Sequence, residues 1–321
     1  TLFRSSTPYK FTLYAIDRNL KSPYTFSWSA AVEQGLGQSQ TLTATYIGSA
    51  TRQLPVVWTI DAALLSALNP NFTNWGMGYT TNAANASHHA LQLQFQRRLS
   101  RGLQATLAHT WAHTIDDATN NFTTGKLLRG SSDYDIRHNF QAAVTYDIPG
   151  RHPAIRHWSL DTRMVARSAL PVDILGTTAV DPTLGIQVSY QPNLVANQPL
   201  YIYNSAYPGG RAINFAAFSS PAAGVQGNAG RNLARGFAAT QFDLALRRDF
   251  ALSERFRLQL RAEAFNLLNQ PLFGAIYNPL STGAARFGQA YNTMNTQLGG
   301  LNSLYQTGGP RSLQLALKLQ F

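Results

Sequence analysis

The chain of 321 residues is basic, with a formal net charge of +11, and contains no cysteine. Its mean hydropathy of -0.18 excludes a bundle of apolar transmembrane helices. The richest apolar stretch, residues 55–68, is shorter than the roughly 20 residues that a spanning helix needs. Without cysteine, the chain has neither disulfides nor thiolate metal ligands.

The positive charge does not predict nucleic-acid binding. The arginines are scattered singly or in pairs, such as Arg97-Arg98 and Arg247-Arg248, and several alternate with apolar residues. This arrangement is typical of the solvated face of a strand rather than of a basic patch. A basic inner wall or rim of a barrel would instead favour anionic solutes or anionic lipopolysaccharide.

Ten segments alternate apolar with polar residues, which is the pattern of half-buried strands. In chain order these predicted strands are 9–17, 24–32, 41–48, 91–96, 103–111, 136–148, 158–166, 241–250, 255–265 and 312–321. The pattern predicts an all-β, antiparallel protein of about ten strands.

The terminal strand is the most informative of these segments. Because successive side chains of a strand point to opposite faces, one face carries Leu313, Leu315, Leu317, Leu319 and Phe321, and the other carries small or polar residues. A soluble sandwich could hide such an apolar stripe in its core. The strand closely resembles, however, the last strand of outer-membrane barrel proteins, which alternates in the same way and ends on an aromatic residue.

The connections between the predicted strands alternate in length. Residues 35–40, 100–102, 149–157 and 252–254 are short links, and residues 49–90, 112–135, 167–240 and 266–311 are long ones. Outer-membrane barrels have tight periplasmic turns and long extracellular loops. With Phe321 in the periplasm, every long connection is predicted to be extracellular.

Several motifs along the chain resemble the C-terminal barrel of TonB-dependent receptors, and are most similar to the Oar-like branch. They are TYIGS (45–49), DYDIRHNF (133–140), GNAGRN (227–232), FDLALRRDF (242–250) and RAEAFNLLN (261–269). The resemblance covers nearly the whole chain and implies a barrel of the 22-stranded type, plugged by an N-terminal domain. It further implies outer-membrane transport, with the protein located in a Gram-negative type of outer membrane.

The resemblance makes residues 1–321 the C-terminal portion of such a barrel. The chain starts at Thr1 without a leader, so we expect a fragment of a longer precursor whose plug, TonB box and carboxypeptidase-regulatory-like domain lie outside these residues. The implied partners are outer-membrane lipid and lipopolysaccharide, the barrel-assembly machinery through the C-terminal strand, and the TonB complex through the absent N-terminal regions. The substrate and its binding residues are not readable from the sequence.

Few residues suggest chemistry. His109 and His113 have the spacing of a helical metal site, but on a strand they lie about 13 Å apart, too far for one ion. Asp116, Asp117, Asp133 and Asp135 bracket one long connection and could gather around calcium, although no EF-hand spacing supports this. We therefore predict no enzymatic activity and no catalytic, cofactor-binding or metal residues.

Two other classes of protein stay open at this point. The chain could be a self-sufficient ten-stranded barrel, working as a passive pore or an outer-membrane hydrolase, because even strand numbers from eight upward are allowed. It could also be a soluble β-rich binding protein. Sequence upstream of Thr1 separates the first two possibilities, and solubility without detergent would indicate the third.

Overall fold

The structure, a computed structural model, describes residues 13–60, 66–67, 70–71, 77–117, 122–123, 127–150, 152, 154–176, 178–180, 187–222, 225–294 and 308–321. The described strands are β1 (Leu13–Ile16), β2 (Tyr24–Leu36), β3 (Gln40–Ile60), β4 (Met77–Ser100), β5 (Leu103–Asp116), β6 (Phe122–Thr123), β7 (Gly130–Ser131), β8 (His138–Asp147), β9 (Trp158–Arg167), β10 (Pro171–Val172), β11 (Thr178–Val180), β12 (Gln187–Ser189), β13 (Asn193–Leu194), β14 (Tyr201–Tyr203), β15 (Arg211–Ile213), β16 (Phe218–Ser219), β17 (Ala234–Arg235), β18 (Ala239–Ala251), β19 (Arg257–Phe265) and β20 (Ser312–Gln320). Single 3-10 turns lie at Pro208–Gly210, Phe215–Ala217 and Leu280–Thr282. Within these residues, no helix has the length and apolar character needed to span a membrane.

One antiparallel sheet dominates the fold. Its strands follow the order β2-β3-β4-β5-β8-β9-β18-β19-β20, so each strand pairs with the next long strand of the chain. Tight turns connect every second pair of neighbouring strands. One of these turns links β4 to β5, where Arg101 and Gly102 have φ of 53° and 77°, as in a type I′ hairpin. Gly102 is required there because a Cβ would lie 2.6 Å from the carbonyl oxygen of Asp147.

The predicted alternation is confirmed and gives the sheet two different faces. Between β19 and β20, Leu260 pairs with Leu317 and Leu258 with Leu319, whereas Arg261 pairs with Ala316 on the opposite face. Leu315 is 79% exposed and Leu317 69% exposed. Burying one such side chain is worth about 1.5–3 kcal/mol, so an apolar face of this size requires a covering phase such as lipid. We call the two sides of the sheet the apolar face and the polar face.

The strand predicted at 9–17 is wrong as a barrel strand. Residues 13–16 form β1, which pairs in parallel with β4 from Leu13↔Met77 to Ile16↔Thr80 and lies off the main path of the sheet, while residues 9–12 lie outside the described residues. β5 ends where Asp116 pairs with Ala86, which leaves the first part of β4 with an open edge. The short β1 segment occupies that edge, and β2 is the first strand of the sheet.

The connection predicted at 49–90 is also wrong, because most of it is strand. β3 continues to Ile60 and β4 already begins at Met77, with an irregularity around Gln53, whose φ is 58°. Beyond the region that must present an apolar face, Ala, Ser, Thr and Asn pair through their backbones without alternating. The missing alternation concealed strands that extend past the apolar face.

The predicted long connections 167–240 and 266–311 contain a folded layer of their own. Short antiparallel pairs (β10 with β17, β11 with β12, β13 with β16 and β14 with β15) frame the first of them. Side chains from both connections share an apolar cluster that includes Ile174, Ile213, Phe218, Ile276 and Phe287. We call the described parts of residues 168–238 and 266–311 the loop layer.

The loop layer contacts the polar face at one end of the sheet. The backbone N–H of Gly308 donates to Oε1 of Gln241 at 3.0 Å, and the N–H of Asn266 donates to Oδ1 of Asp243 at 2.9 Å. Arg167, the last residue of β9, places Nη2 3.4 Å from Sδ of Met294. The long connections therefore contact the polar face at one end of the sheet. We call that end of the sheet the long-loop end and the opposite end the short-turn end.

Candidate functional site

The polar face carries a ladder of ion pairs between neighbouring strands. Arg247 of β18 lies 3.4 Å from Asp161 and 3.6 Å from Asp147, and Arg163 of β9 lies 3.4 Å from Asp243. Charged residues placed at every second position of adjacent strands line one wall without reaching the apolar face. Such a wall suits water, as the interior of a transmembrane barrel does.

At the long-loop end, Asp135 joins the β5–β8 connection to the loop layer. Its side chain is fully buried, and Oδ2 accepts from Nη2 of Arg235 at 2.7 Å and from Nε of Arg137 at 2.9 Å. Oδ1 accepts from the backbone N–H of Thr114 at 2.8 Å and lies 3.2 Å from Nδ1 of His113. Burial alone would raise the pKa of this carboxyl, but the hydrogen bond from Arg235 and the other donors outweigh it and hold the pKa of Asp135 well below its usual range.

Arg231 makes a second link between the same two parts of the chain. Its buried guanidinium pairs with the carboxylate of Asp116 and also donates to the Asp116 carbonyl at 2.9 Å and the Leu128 carbonyl at 3.0 Å. The adjacent Asn232 donates from Nδ2 to Oδ1 of Asp133 at 2.7 Å. Its backbone N–H donates to Oδ1 of Asp173 at 3.1 Å.

These contacts bring two of the sequence motifs together. The DYDIRHNF segment supplies Asp133 and Asp135, and the GNAGRN segment supplies Arg231 and Asn232, about 100 residues further along the chain. Both motifs are visible in the sequence, but their contact is not. The opposite charges of the two motifs are the only feature of the sequence that hints at this contact, and nothing in either motif specifies its partner.

A cavity of about 710 Å³ opens beside this junction, within the range of 300–1,000 Å³ usual for ligand sites. Its walls combine charged and aromatic groups, chief among them Asp133, Asp173, Arg167, Phe237, Phe273 and Tyr291. Burial raises the pKa of Asp173, although hydrogen bonds from Asn232 and Gln191 act in the opposite direction. A second cavity of about 500 Å³ shares Gly236, Phe237 and Phe273 with the first.

The histidines singled out from the sequence do not converge. Nε2 of His109 lies 3.3 Å from Nδ1 of His138, with the two rings stacked at a centroid distance of 5.5 Å, whereas His113 contacts Asp135. The arginine partners already take up most of the four aspartates considered for calcium: Asp117, for example, pairs with Arg129 at 2.8 Å. Within the described residues, no group of three or more His, Asp or Glu side chains could hold a metal ion.

An antiparallel sheet with a continuous exposed apolar face, a charged face and long connections at one end defines the wall of an outer-membrane barrel. Residues 2–314 match the family described as outer membrane beta barrel domain. The chain belongs to that family, and its location is the outer membrane.

Solved structures with a similar fold include outer-membrane transporters and receptors. The outer membrane transporter YddB from Escherichia coli is 10% identical, with a TM-score of 0.51 over 94% of this chain and 33% of YddB. The pyoverdine outer membrane receptor FpvA from Pseudomonas aeruginosa PAO1 is 10% identical, with a TM-score of 0.48 over 94% of this chain and 30% of FpvA. The chain thus spans about a third of YddB, and this likeness shows the fold alone. No curated protein sequence matches the chain.

Proposed function

We propose that the chain is the C-terminal part of the barrel of a TonB-dependent, Oar-like receptor, and that it works in transport of a substrate across the outer membrane. The observation that carries this proposal is the pair of open edges. Among the described strands, β2 and β20 are the two ends of the sheet and do not pair with each other. Nine strands therefore form an arc, and further strands would close it.

An open arc is costly inside a membrane. All thirteen residues of β2 are exposed, and one edge of β2 pairs with no described strand. Each unpaired backbone N–H or C=O in hydrocarbon costs several kcal/mol, so only a closed barrel is stable there. We place the missing strands, the plug and the TonB box in the part of the protein that precedes Thr1.

The orientation is part of the same proposal. β20 runs from the long-loop end to the short-turn end, where Phe321 lies. We assign the short turns to the periplasm and the loop layer to the cell exterior, because outer-membrane barrels combine tight periplasmic turns with long outer loops. The C-terminal strand, with Leu313, Leu315, Leu317, Leu319 and Phe321, would then be the segment that the barrel-assembly machinery recognises. Lipopolysaccharide would surround the outer rim.

The family resemblance supports transport as the function rather than an enzymatic reaction. The direct test is the reading frame upstream of Thr1, combined with cross-linking of the intact protein to TonB in energised cells. A plug domain, a carboxypeptidase-regulatory-like domain and a cross-link that disappears when the TonB box is deleted are expected. A signal peptide ending just before Thr1, with no cross-link, would contradict the proposal and favour a self-sufficient pore or hydrolase.

A further inference from the structure

The cavity beside the Asp135 junction presents charges of both signs to its interior. Asn232 holds two of its carboxylates together, donating to Oδ1 of Asp133 from its side chain and to Oδ1 of Asp173 from its backbone. Burial is the main cause of the raised pKa of Asp173; the charge of Asp133 raises it further, and the charge of Arg231, which lies 3.9 Å from Asp133, lowers it. Two acids that share one partly desolvated wall are stabilised by an arriving cation.

Arg167 also lines this cavity and supplies the opposite charge. Its guanidinium donates to the carbonyl of Ser168 at 3.2 Å and lies 3.4 Å from Sδ of Met294, a weak acceptor. Across the part of the chain that the structure describes, no carboxylate pairs with Arg167. By contrast, Arg163, four residues earlier on β9, is paired with Asp243. A guanidinium in this position is suited to bind a carboxylate in bidentate fashion.

Three aromatic rings form part of the remaining wall. Phe237 and Phe273 pack with their centroids 4.9 Å apart, and Tyr291 packs against Tyr277 at 4.6 Å. Such faces attract both apolar groups and ammonium ions. The volume of about 710 Å³ is sufficient for a molecule with several apolar side chains.

We propose that this cavity binds a short peptide with free ends, or a zwitterion of the same chemistry. The ammonium group lies against Asp133 and Asp173, and the carboxylate pairs with Arg167. The apolar side chains pack on Phe237, Phe273 and Tyr291. This inference rests on the proposed function to the extent that the loop layer must face the exterior, where solutes arrive.

The test is binding of trileucine to the intact protein purified in detergent, measured by calorimetry and compared with N-acetyl-trileucine and trileucine amide. Saturable binding of trileucine with a Kd below about 1 mM is expected. Blocking either end should weaken it by about tenfold or more, because each block removes a ligand charge that would face an opposite charge of the cavity. No saturable binding by the unmodified protein, or equal affinities for the three peptides, would overturn the proposal.

Two variants assign the ends of the ligand. Asp133→Asn should reduce the difference between trileucine and its N-acetyl form, because only Asp173 then faces the ammonium group, and Arg167→Gln should abolish the difference between trileucine and its amide. Arg129→Gln, which removes an ion pair whose two residues do not line the cavity, should leave both differences unchanged. A cavity that is merely distorted would weaken all three peptides alike, and that result would contradict the assignment. Because binding is measured without cells or an energy source, failure of the TonB cross-link would leave this result unaffected.

Discussion

Arg235 holds Asp135 by two hydrogen bonds across 100 residues of sequence: Nη2 donates to Oδ2 at 2.7 Å, and Nη1 donates to the backbone carbonyl oxygen of the same residue at 2.7 Å. This pair fastens the loop layer to the β5–β8 connection, just before β8 begins. The pair lies next to the cavity-lining residues Asp133 and Gly236, and it ties residues 168–238 to the β5–β8 connection. The contact therefore links the folding of the loops to the geometry of the candidate site.

Removing the buried acid should cost much more than removing an exposed partner. Asp135→Ala leaves Arg235 and Arg137 without their carboxylate, and we expect a loss of about 3–5 kcal/mol in the stability of the loop layer. Arg129→Ala breaks the exposed pair with Asp117 and should cost at most about 1 kcal/mol. Hydrogen exchange of residues 227–238 in the intact protein measures both effects. Similar losses for the two variants would show that Asp135 does not fasten the loops.

The same pair predicts an acid-sensitive loop layer. The pKa of Asp135 is lower in the folded protein than in an unfolded chain, so its contribution is fully present above about pH 4 and is lost as the pH falls further. Protease cleavage within the loop layer should therefore increase below about pH 4 and stay constant between pH 5 and 8. In Asp135→Asn this increase should shrink, and cleavage should be raised at neutral pH. An unchanged acid profile in that variant would assign the transition to other groups.

The sheet itself was predictable from the sequence for a physical reason. Lipid on one side and water on the other impose a strict alternation, and segments such as 241–250 and 312–321 display it plainly. Residues 49–60 of β3 and 77–90 of β4 were not predicted to be strand, because strands that leave the membrane no longer need an apolar face. The true role of residues 13–16 was hidden as well, since four residues cannot specify which open edge they will join.

Most of the candidate site could not be predicted from the sequence. Contacts such as Arg231 with Asp116 join residues 115 positions apart and obey no period. The sequence suggests Asp133 only as one of four acids around a long connection. Its link through Asn232 to Asp173 and the cavity beside it cannot be deduced from residue spacing. Only the charges of the two motifs and the two glycines of GNAGRN distinguish these segments in the sequence.

The apolar face of β20 can be tested by placing a charge on it. Leu317→Arg should lower the free energy of folding into bilayers by about 2–4 kcal/mol, because the side chain would meet the middle of the hydrocarbon. Gln314→Arg is the matched control, since Gln314 pairs with Glu263 on the polar face. Folding titrations of the intact protein in lipid vesicles measure both values. Equal penalties on the two faces would contradict the assignment of lipid and lumen sides.

Orientation can be tested with single cysteines, since the chain contains none. Ser205→Cys and Ser281→Cys lie at exposed positions of the loop layer, and Glu254→Cys lies at an exposed position of the turn between β18 and β19. On intact cells, an impermeant maleimide should label the first two variants and spare the third until the outer membrane is disrupted. The reverse pattern would invert the proposed topology.

The central claim is that these residues form an arc of a larger barrel, and refolding of residues 1–321 alone in detergent tests it most directly. Heat-modifiability on a gel and conductance in a planar bilayer are the measurements, with the intact protein as the control. We expect the isolated chain to aggregate or migrate as an unfolded band without reproducible channel steps, because β2 and β20 would expose unpaired backbone groups to hydrocarbon. The intact protein should give a compact, heat-sensitive band. A compact, heat-sensitive band with regular conductance steps from residues 1–321 alone would contradict the claim and show that the chain closes a barrel by itself.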